Sequence, residues 1–144
     1  MFAPQLLPDL EVMELGAAEF VMVSTETVHL DRVDSATYVK AAYTTYLARL
    51  HDQLLPDLAN PQLVIGSEDL GVEHLACHGG ALYLPRFAVA LAQTRVGRLA
   101  IVEDAPVLLQ PIFSVTHIRE RHDPLVVTAL RLLREVARAP DQSR

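Results

Sequence analysis

The chain holds a single cysteine, Cys77, in 144 residues. No internal disulfide framework can staple it, which fits a reducing compartment, and a lone thiol of this kind reads as a small buried hydrophobe rather than a nucleophile. Long apolar runs are missing as well: none approaches the roughly 18 to 20 uncharged residues that cross a bilayer. The opening MFAPQLLPDLEVMEL lacks the basic flank and small-residue cleavage site of a secretory leader. The expected location is the cytoplasm, with no membrane contact.

Cations are also scarce. Lysine and arginine number 12 against 18 acidic residues, giving a formal charge of -6 and a pI near 5.4. A phosphate backbone repels such a chain, so direct DNA binding is not expected. An anisotropy titration at moderate salt should detect no sequence-dependent binding of duplex DNA, and a submicromolar affinity would contradict that reading. Catalytic templates are absent too: there is no Gly-x-Ser-x-Gly elbow, no phosphate loop, no dinucleotide Gly-x-Gly-x-x-Gly and no His-Glu-x-x-His. Neither an enzyme nor a cofactor is expected.

What is present is apolar. Hydrophobic residues make up 51 % of the sequence beside an ordinary 21 % of charged ones, and mean hydropathy is +0.23, so much of this surface needs a covering layer. The length suits one domain, assigned to residues 1–139, with 140–144 as a loose tail.

Strand and helix signals alternate along it. Leu10 to Leu15 and Glu19 to Ser24 predict two strands separated by Gly16-Ala17-Ala18. Phe20-Val21-Met22-Val23 is continuously apolar, as in a strand covered on both faces. Thr37 to Lys40 predicts a third strand, and Tyr43 to Leu55 a helix stopped by Pro56. After a strand at Gln62 to Ile65, Ser67 caps a helix that ends at Gly79-Gly80, with Glu68 and Asp69 at its positive end. The apolar face of that helix is expected at Leu70, Leu75 and Ala76, with Val72 and Cys77 at its margins. Ala81 to Leu84 predicts a strand, with Pro85 opening a helix to about Gln93. Leu99 to Val102 and Leu109 to Ile118 predict the last strands. Asp123-Pro124 caps a final helix carrying Leu125, Ala129, Leu132, Leu133 and Val136 on one face. Such alternation predicts an α/β fold of parallel strands joined by crossover helices.

The order and spacing of several segments carry a resemblance. Leu75-Ala76-Cys77-His78-Gly79-Gly80-Ala81-Leu82-Tyr83-Leu84-Pro85, a helix, and then Gly97-Arg98-Leu99-Ala100-Ile101-Val102 form one such series. Glu19 to Ser24 reads as a first interlobe strand and Pro111 to His117 as a return strand before the terminal helix. Together, from about Leu15 to Ala139, the chain resembles the effector-binding domain of LysR-type transcriptional regulators. That resemblance implies a periplasmic-binding-protein-like lobe, with a mostly parallel sheet flanked by helices. It also implies that the chain starts near the crossing into the second lobe, holding that lobe and the terminal strand and helix of the other, without a winged helix-turn-helix.

In this family a small organic effector, often carboxylate-bearing, lies between the lobes. The matching positions here are Tyr38, Lys40, Ala41, Ala42 and Tyr43, at and just after a strand end, and the turn at Gly66 and Ser67. A helix N-terminus presents unpaired N–H groups, and the Ser67 hydroxyl adds a donor for an anion; Ser67 serves equally as a plain N-cap. Lys40 and Tyr43 supply a charge and an aromatic wall, or else a solvated lysine and a core aromatic.

Two other clusters bear weighing. His74 and His78, one helical turn apart with Glu73 nearby, could share a metal, but structural zinc takes four ligands and catalytic zinc usually three from the protein, and none with matching spacing follows. His117, Arg119, Arg121 and His122 form a local basic cluster that alternation would put partly on one strand face, among Glu120 and Asp123. No metal site is assigned to either. The leading function is effector sensing in a LysR-type regulator. The alternatives are a cytoplasmic small-ligand module outside transcription and, behind it, a metal-dependent α/β enzyme. Exposed apolar strands and the last helix predict self-association as a homodimer or larger assembly.

Overall fold

The computed structural model describes residues 8–138, which fall into two compact units. One comprises residues 8–18 with 111–138, the other Glu19–Gln110. The expected tail, 140–144, lies outside the described residues.

In chain order the elements are β1 (Leu10–Ser24), β2 (Val39–Ala41), α1 (Thr45–Leu54), β3 (Leu63–Ile65), α2 (Glu68–His78), β4 (Ala81–Pro85), α3 (Val89–Val96), β5 (Ala100–Ile101), β6 (Leu108–His117) and α4 (Pro124–Arg138). The α/β class expected from the alternation is what the chain adopts. The parallel sense belongs to β2 and β3, in the register Val39 opposite Leu63 through Ala41 opposite Ile65, and to a bridge between Tyr38 and Ala81. By contrast, β1 runs antiparallel to β4 and to β5.

In the unit Glu19–Gln110, Phe20 to Ser24 are five successive buried residues, because sheet neighbours flank them while α/β layers cover both faces. Val21, Val23, Leu82 and Leu84 form the sheet side of the core, with Val72 and Leu75 of α2 and Val89 and Ala92 of α3 packed against them. Burying side chains of this size contributes about 1.5–3 kcal/mol each.

Several local expectations need correction. Gly16-Ala17-Ala18 does not divide two strands; β1 runs through it for 15 residues. A Cβ on Gly16 would stand 3.5 Å from the Cβ of Ala137, so the small residue there permits a close approach of α4 rather than a turn. The face that α2 buries is Gly71, Val72 and Leu75, whereas Leu70 is 63 % exposed and Ala76 and Cys77 are also exposed. Gly71 sits where α2 comes closest to β4, a Cβ there lying 3.1 Å from Leu82 Cδ2, and this turns the contact face away from the one suggested by hydrophobicity. Cys77 is therefore a surface thiol. Pro85 ends β4 opposite Phe20, and a turn of 3-10 helix at Arg86–Ala88 precedes α3.

The second unit keeps much of its apolar surface uncovered. β6 pairs with β1, with Ile118 N–H donating to Asp9 O at 2.9 Å and the Ser114 hydroxyl donating to Met13 O at 3.3 Å. The strand alternation expected through Arg121 stops at His117, where a 3-10 turn, Ile118–Glu120, begins and the His117 ring accepts from Arg119 N–H. On α4, Leu125, Leu132, Leu133 and Val136 are all exposed, Leu125 by 80 %.

Candidate functional site

Two parallel strands end side by side at the expected binding region. The register of β2 and β3 brings Ala42 beside Ile65, and Ala42 N–H donates to Ile65 O at 2.8 Å. The segments that follow, Tyr43 after β2 and Gly66-Ser67 after β3, therefore emerge at the same edge. Carboxyl ends of parallel strands are where open α/β sheets leave a crevice, since the chain must turn away there into helices.

A cavity of about 310 Å³ occupies that position, lined by Tyr43, Gly66, Ser67, Glu68 and Asp69. Ser67 precedes α2 with extended backbone, yet its hydroxyl accepts no N–H of the helix. Both the hydroxyl and the first N–H groups of α2 are left to face a ligand. The Tyr43 hydroxyl donates to Tyr83 O at 2.8 Å and its ring lies 5.8 Å from that of Phe20, so this wall is fixed before any ligand arrives. Burial pushes the Tyr43 phenol above its ordinary range, aided by Glu68. The Glu68 carboxyl is itself raised, by burial first and by the charge of Asp69 second. Two carboxylates thus share the rim with the anion-favouring helix end.

Among the predicted residues, the structure brings Tyr43, Gly66 and Ser67 together, with Ala42 tied alongside by its backbone. Ala41 is buried. Tyr38 and Lys40 are engaged elsewhere. Tyr38 is 1 % exposed, and its hydroxyl meets His51 Nε2 at 2.7 Å. Lys40 Nζ lies 2.6 Å from Asp52 Oδ1 and also donates to Ala59 O at 3.2 Å. Strand alternation did not reveal this, because the partners come from α1 and the turn after it.

The same network contains the residue that sequence reasoning missed. His51 is buried within α1, with Nδ1 3.0 Å from Asp52 Oδ1. An ionised Asp52 accepts from Nδ1–H, which leaves the Nε2 lone pair for the Tyr38 hydroxyl proton. Burial lowers the His51 pKa, Lys40 lowers it further, and the bond to Asp52 opposes both. Burial raises Asp52, but its bonds to Lys40 and His51 outweigh that and hold it below the ordinary carboxylate range. A buried histidine in a helix leaves no distinctive spacing in the sequence.

The rings of His74 and His78 stack with centroids 4.9 Å apart on α2. Among the described residues, no group of three or more His, Cys, Asp or Glu side chains comes together to hold a metal ion. Also among them, no helix is long and apolar enough to cross a membrane.

No family model and no curated relative matches the chain by sequence. Solved structures do match its fold. The regulatory domain of OxyR2 from Vibrio vulnificus, as a C206S mutant, superposes with a TM-score of 0.66 at 14 % identity, over 93 % of this chain and 69 % of that one. The Synechocystis PCC6803 CcmR regulatory domain in complex with 2-PG gives 0.65 at 13 % identity, over 95 % of this chain and 71 % of the other. This chain has the fold of these regulatory domains. Full-length LysG from Corynebacterium glutamicum, a LysR-type regulator with its effector Arg bound, gives 0.59 at 15 % identity. That match covers 94 % of this chain but only 48 % of LysG, so the chain spans about half of the full-length regulator. The expected α/β lobe is the architecture observed, with the parallel sense found between β2 and β3 and at the Tyr38–Ala81 bridge and β1 antiparallel to β4 and β5 rather than in a mostly parallel sheet.

Proposed function

We propose that this chain is the effector-sensing part of a cytoplasmic LysR-type transcriptional regulator and that it acts without catalysis of its own. The observation that carries the reading is the cavity at the carboxyl ends of β2 and β3, in a fold shared with regulatory domains whose relatives hold Arg and 2-PG. Tyr43 gives the cavity a fixed aromatic wall, while Ser67 and the α2 N-terminus give it donors for an anionic group. Glu68 and Asp69 on the same rim disfavour a plain dicarboxylate. An effector that joins one carboxylate to a cationic group fits the lining better, with its cation toward Glu68.

Calorimetry with a panel of amino acids and simple organic acids tests this. Binding to the isolated chain is expected to be weak, in about the millimolar range, because one lobe leaves much of a ligand wet. Ser67→Ala should cost about 1 kcal/mol, roughly fivefold, for any carboxylate bound there. Glu68→Gln should weaken zwitterions while improving dicarboxylates. Equal affinities for wild type and both variants would remove the cavity from the function. A small-ligand module outside transcription would show the same binding without any ligand-dependent promoter, which a reporter assay in the source cell separates.

Self-association belongs to the same proposal. Ile112, Phe113 and Val115 of β6 and Leu125, Leu132, Leu133 and Val136 of α4 stand exposed within one unit, and such apolar surface recruits another chain. A second copy burying about 800 Å² per partner suits a stable homodimer. Light scattering coupled to size exclusion should give the mass of at least two chains at micromolar concentration. A stable 15.9 kDa species would contradict this.

A further inference from the structure

Within the unit Glu19–Gln110, a second hollow of about 310 Å³ opens where β1 ends. Its walls come from the segment after β1, the 3-10 turn Leu30–Arg32 and the turn between α3 and β5. Two arginines, Arg32 and Arg98, line it against one carboxylate, that of Glu26. Neither arginine forms an ion pair among the described residues, whereas Arg86, Arg95 and Arg131 each hold a carboxylate. In a chain of formal charge -6, two such cations facing one small space repel each other unless an anion lies between them.

A buried hydroxyl points the same way. Ser24 lines the hollow and is 3 % exposed. Its Oγ accepts from Glu26 N–H at 3.0 Å and Thr27 N–H at 3.2 Å, but its own proton has no acceptor among the described residues. The neighbouring hydroxyls are already committed, Thr25 donating to Gly80 O and Thr27 to His29 O. A buried donor without an acceptor is costly, and an oxygen of a ligand in the hollow would meet it.

We propose that this hollow is a binding site for a small tetrahedral oxoanion, free phosphate or a phosphate monoester, held by Arg32, Arg98 and the Ser24 hydroxyl. A carboxylate offers two oxygens in one plane, which a single guanidinium fork already fills. Two forks from separate segments and a third donor call for an anion with three or more acceptor oxygens. The volume, at the low end for small-molecule pockets, leaves room for a phosphoryl group and a small organic substituent. The site is separate from the cavity at α2, so its standing is independent of the effector reading.

The test is calorimetry of the whole chain with inorganic phosphate, phenyl phosphate and succinate. Saturable one-to-one binding of inorganic phosphate is expected, with succinate at least about tenfold weaker. Arg32→Gln and Arg98→Gln, both on exposed side chains, should each weaken phosphate about tenfold with unchanged circular dichroism, while Arg131→Gln, which removes an arginine paired with Glu135 outside the hollow, should leave it as it was. Tighter binding of phenyl phosphate would identify a monoester as the ligand; equal or weaker binding would identify the free ion. Absence of saturable phosphate binding, retention of full affinity by both arginine variants, or an equal loss in Arg131→Gln would overturn the proposal.

Discussion

Replacing Gly80 by alanine is expected to destabilise the chain by about 3 kcal/mol or more and to lower its Tm by about 10 °C. Gly80 has φ 111°, where L side chains are strained, and an added Cβ would lie 2.2 Å from Thr37 O. That oxygen is backbone, so relief requires moving the segment that leads into Tyr38 and β2. Gly80 is also fixed from the other side, its N–H donating to Thr25 Oγ1 at 2.9 Å and its carbonyl accepting from Thr25 N–H at 3.0 Å. Gly97 provides the comparison. Its φ is 77° with nothing within 4 Å of a built Cβ, so Gly97→Ala should cost only the conformational strain, about 1 kcal/mol. Thermal melts of the two variants separate steric from conformational cost. Equal melting temperatures would show that the turn at Gly80 yields freely and would refute the packing described for it.

Acidification from pH 7 toward pH 5 is expected to weaken the fold by up to about 1.4 kcal/mol per pH unit through His51 alone. The folded pKa of His51 lies below 6.5, because burial disfavours the imidazolium, so the unfolded chain takes up the proton first. The stabilisation is therefore complete above about pH 6.5 and is lost as the pH falls from there toward the folded value. The groups facing this ring are Tyr38, Asp52 and Tyr83, with Lys40 behind Asp52. Protonated Nε2 would become a donor in place of the acceptor that the Tyr38 hydroxyl proton now meets, so that proton would have to turn away from it. Asp52 adds a separate dependence, its stabilisation being present above the ordinary carboxylate range and lost as the pH falls through its depressed pKa. His74 is also lowered, by burial and then by His78, but its greater exposure makes its share smaller.

Urea melts at pH 7, 6 and 5.5 measure this slope, and His51→Gln should flatten it. An NMR titration of the His51 ring in the wild type gives the same answer without a variant. A midpoint at or above 6.5 would show that Asp52 outweighs burial, and the sign of the effect would reverse.

Gly80, behind the first prediction, was legible in the sequence as part of a glycine pair, and the histidine behind the second was not. Gly79-Gly80 after an apolar helix signals an abrupt C-terminal stop, because few other residues tolerate positive φ, and α2 ends at His78. His51 is one of six histidines, and nothing in its neighbours along the chain marks it as buried. Its environment is made by Tyr38, 13 residues earlier, and by Tyr83 on β4.

The family resemblance implied the position of the candidate cavity after β2 and β3; the sequence by itself determined the alternation of strands and helices, the continuous burial of Phe20 to Val23 and the helix stops at Pro56 and Gly79. These follow from periodicity, backbone constraints and helix-end polarity, which act over a few residues. Only the tertiary structure decided which side chains reach that cavity. It withdrew Lys40 into an ion pair with Asp52, held Tyr38 under His51, left the Ser67 hydroxyl without a helix N–H and turned the buried face of α2 onto Gly71. It also gathered Ser24, Arg32 and Arg98 around one hollow across gaps in sequence that no local pattern spans. Those outcomes depend on which elements pack together, and hydrogen bonds, ion pairs and burial between distant segments fix them after local structure has been chosen.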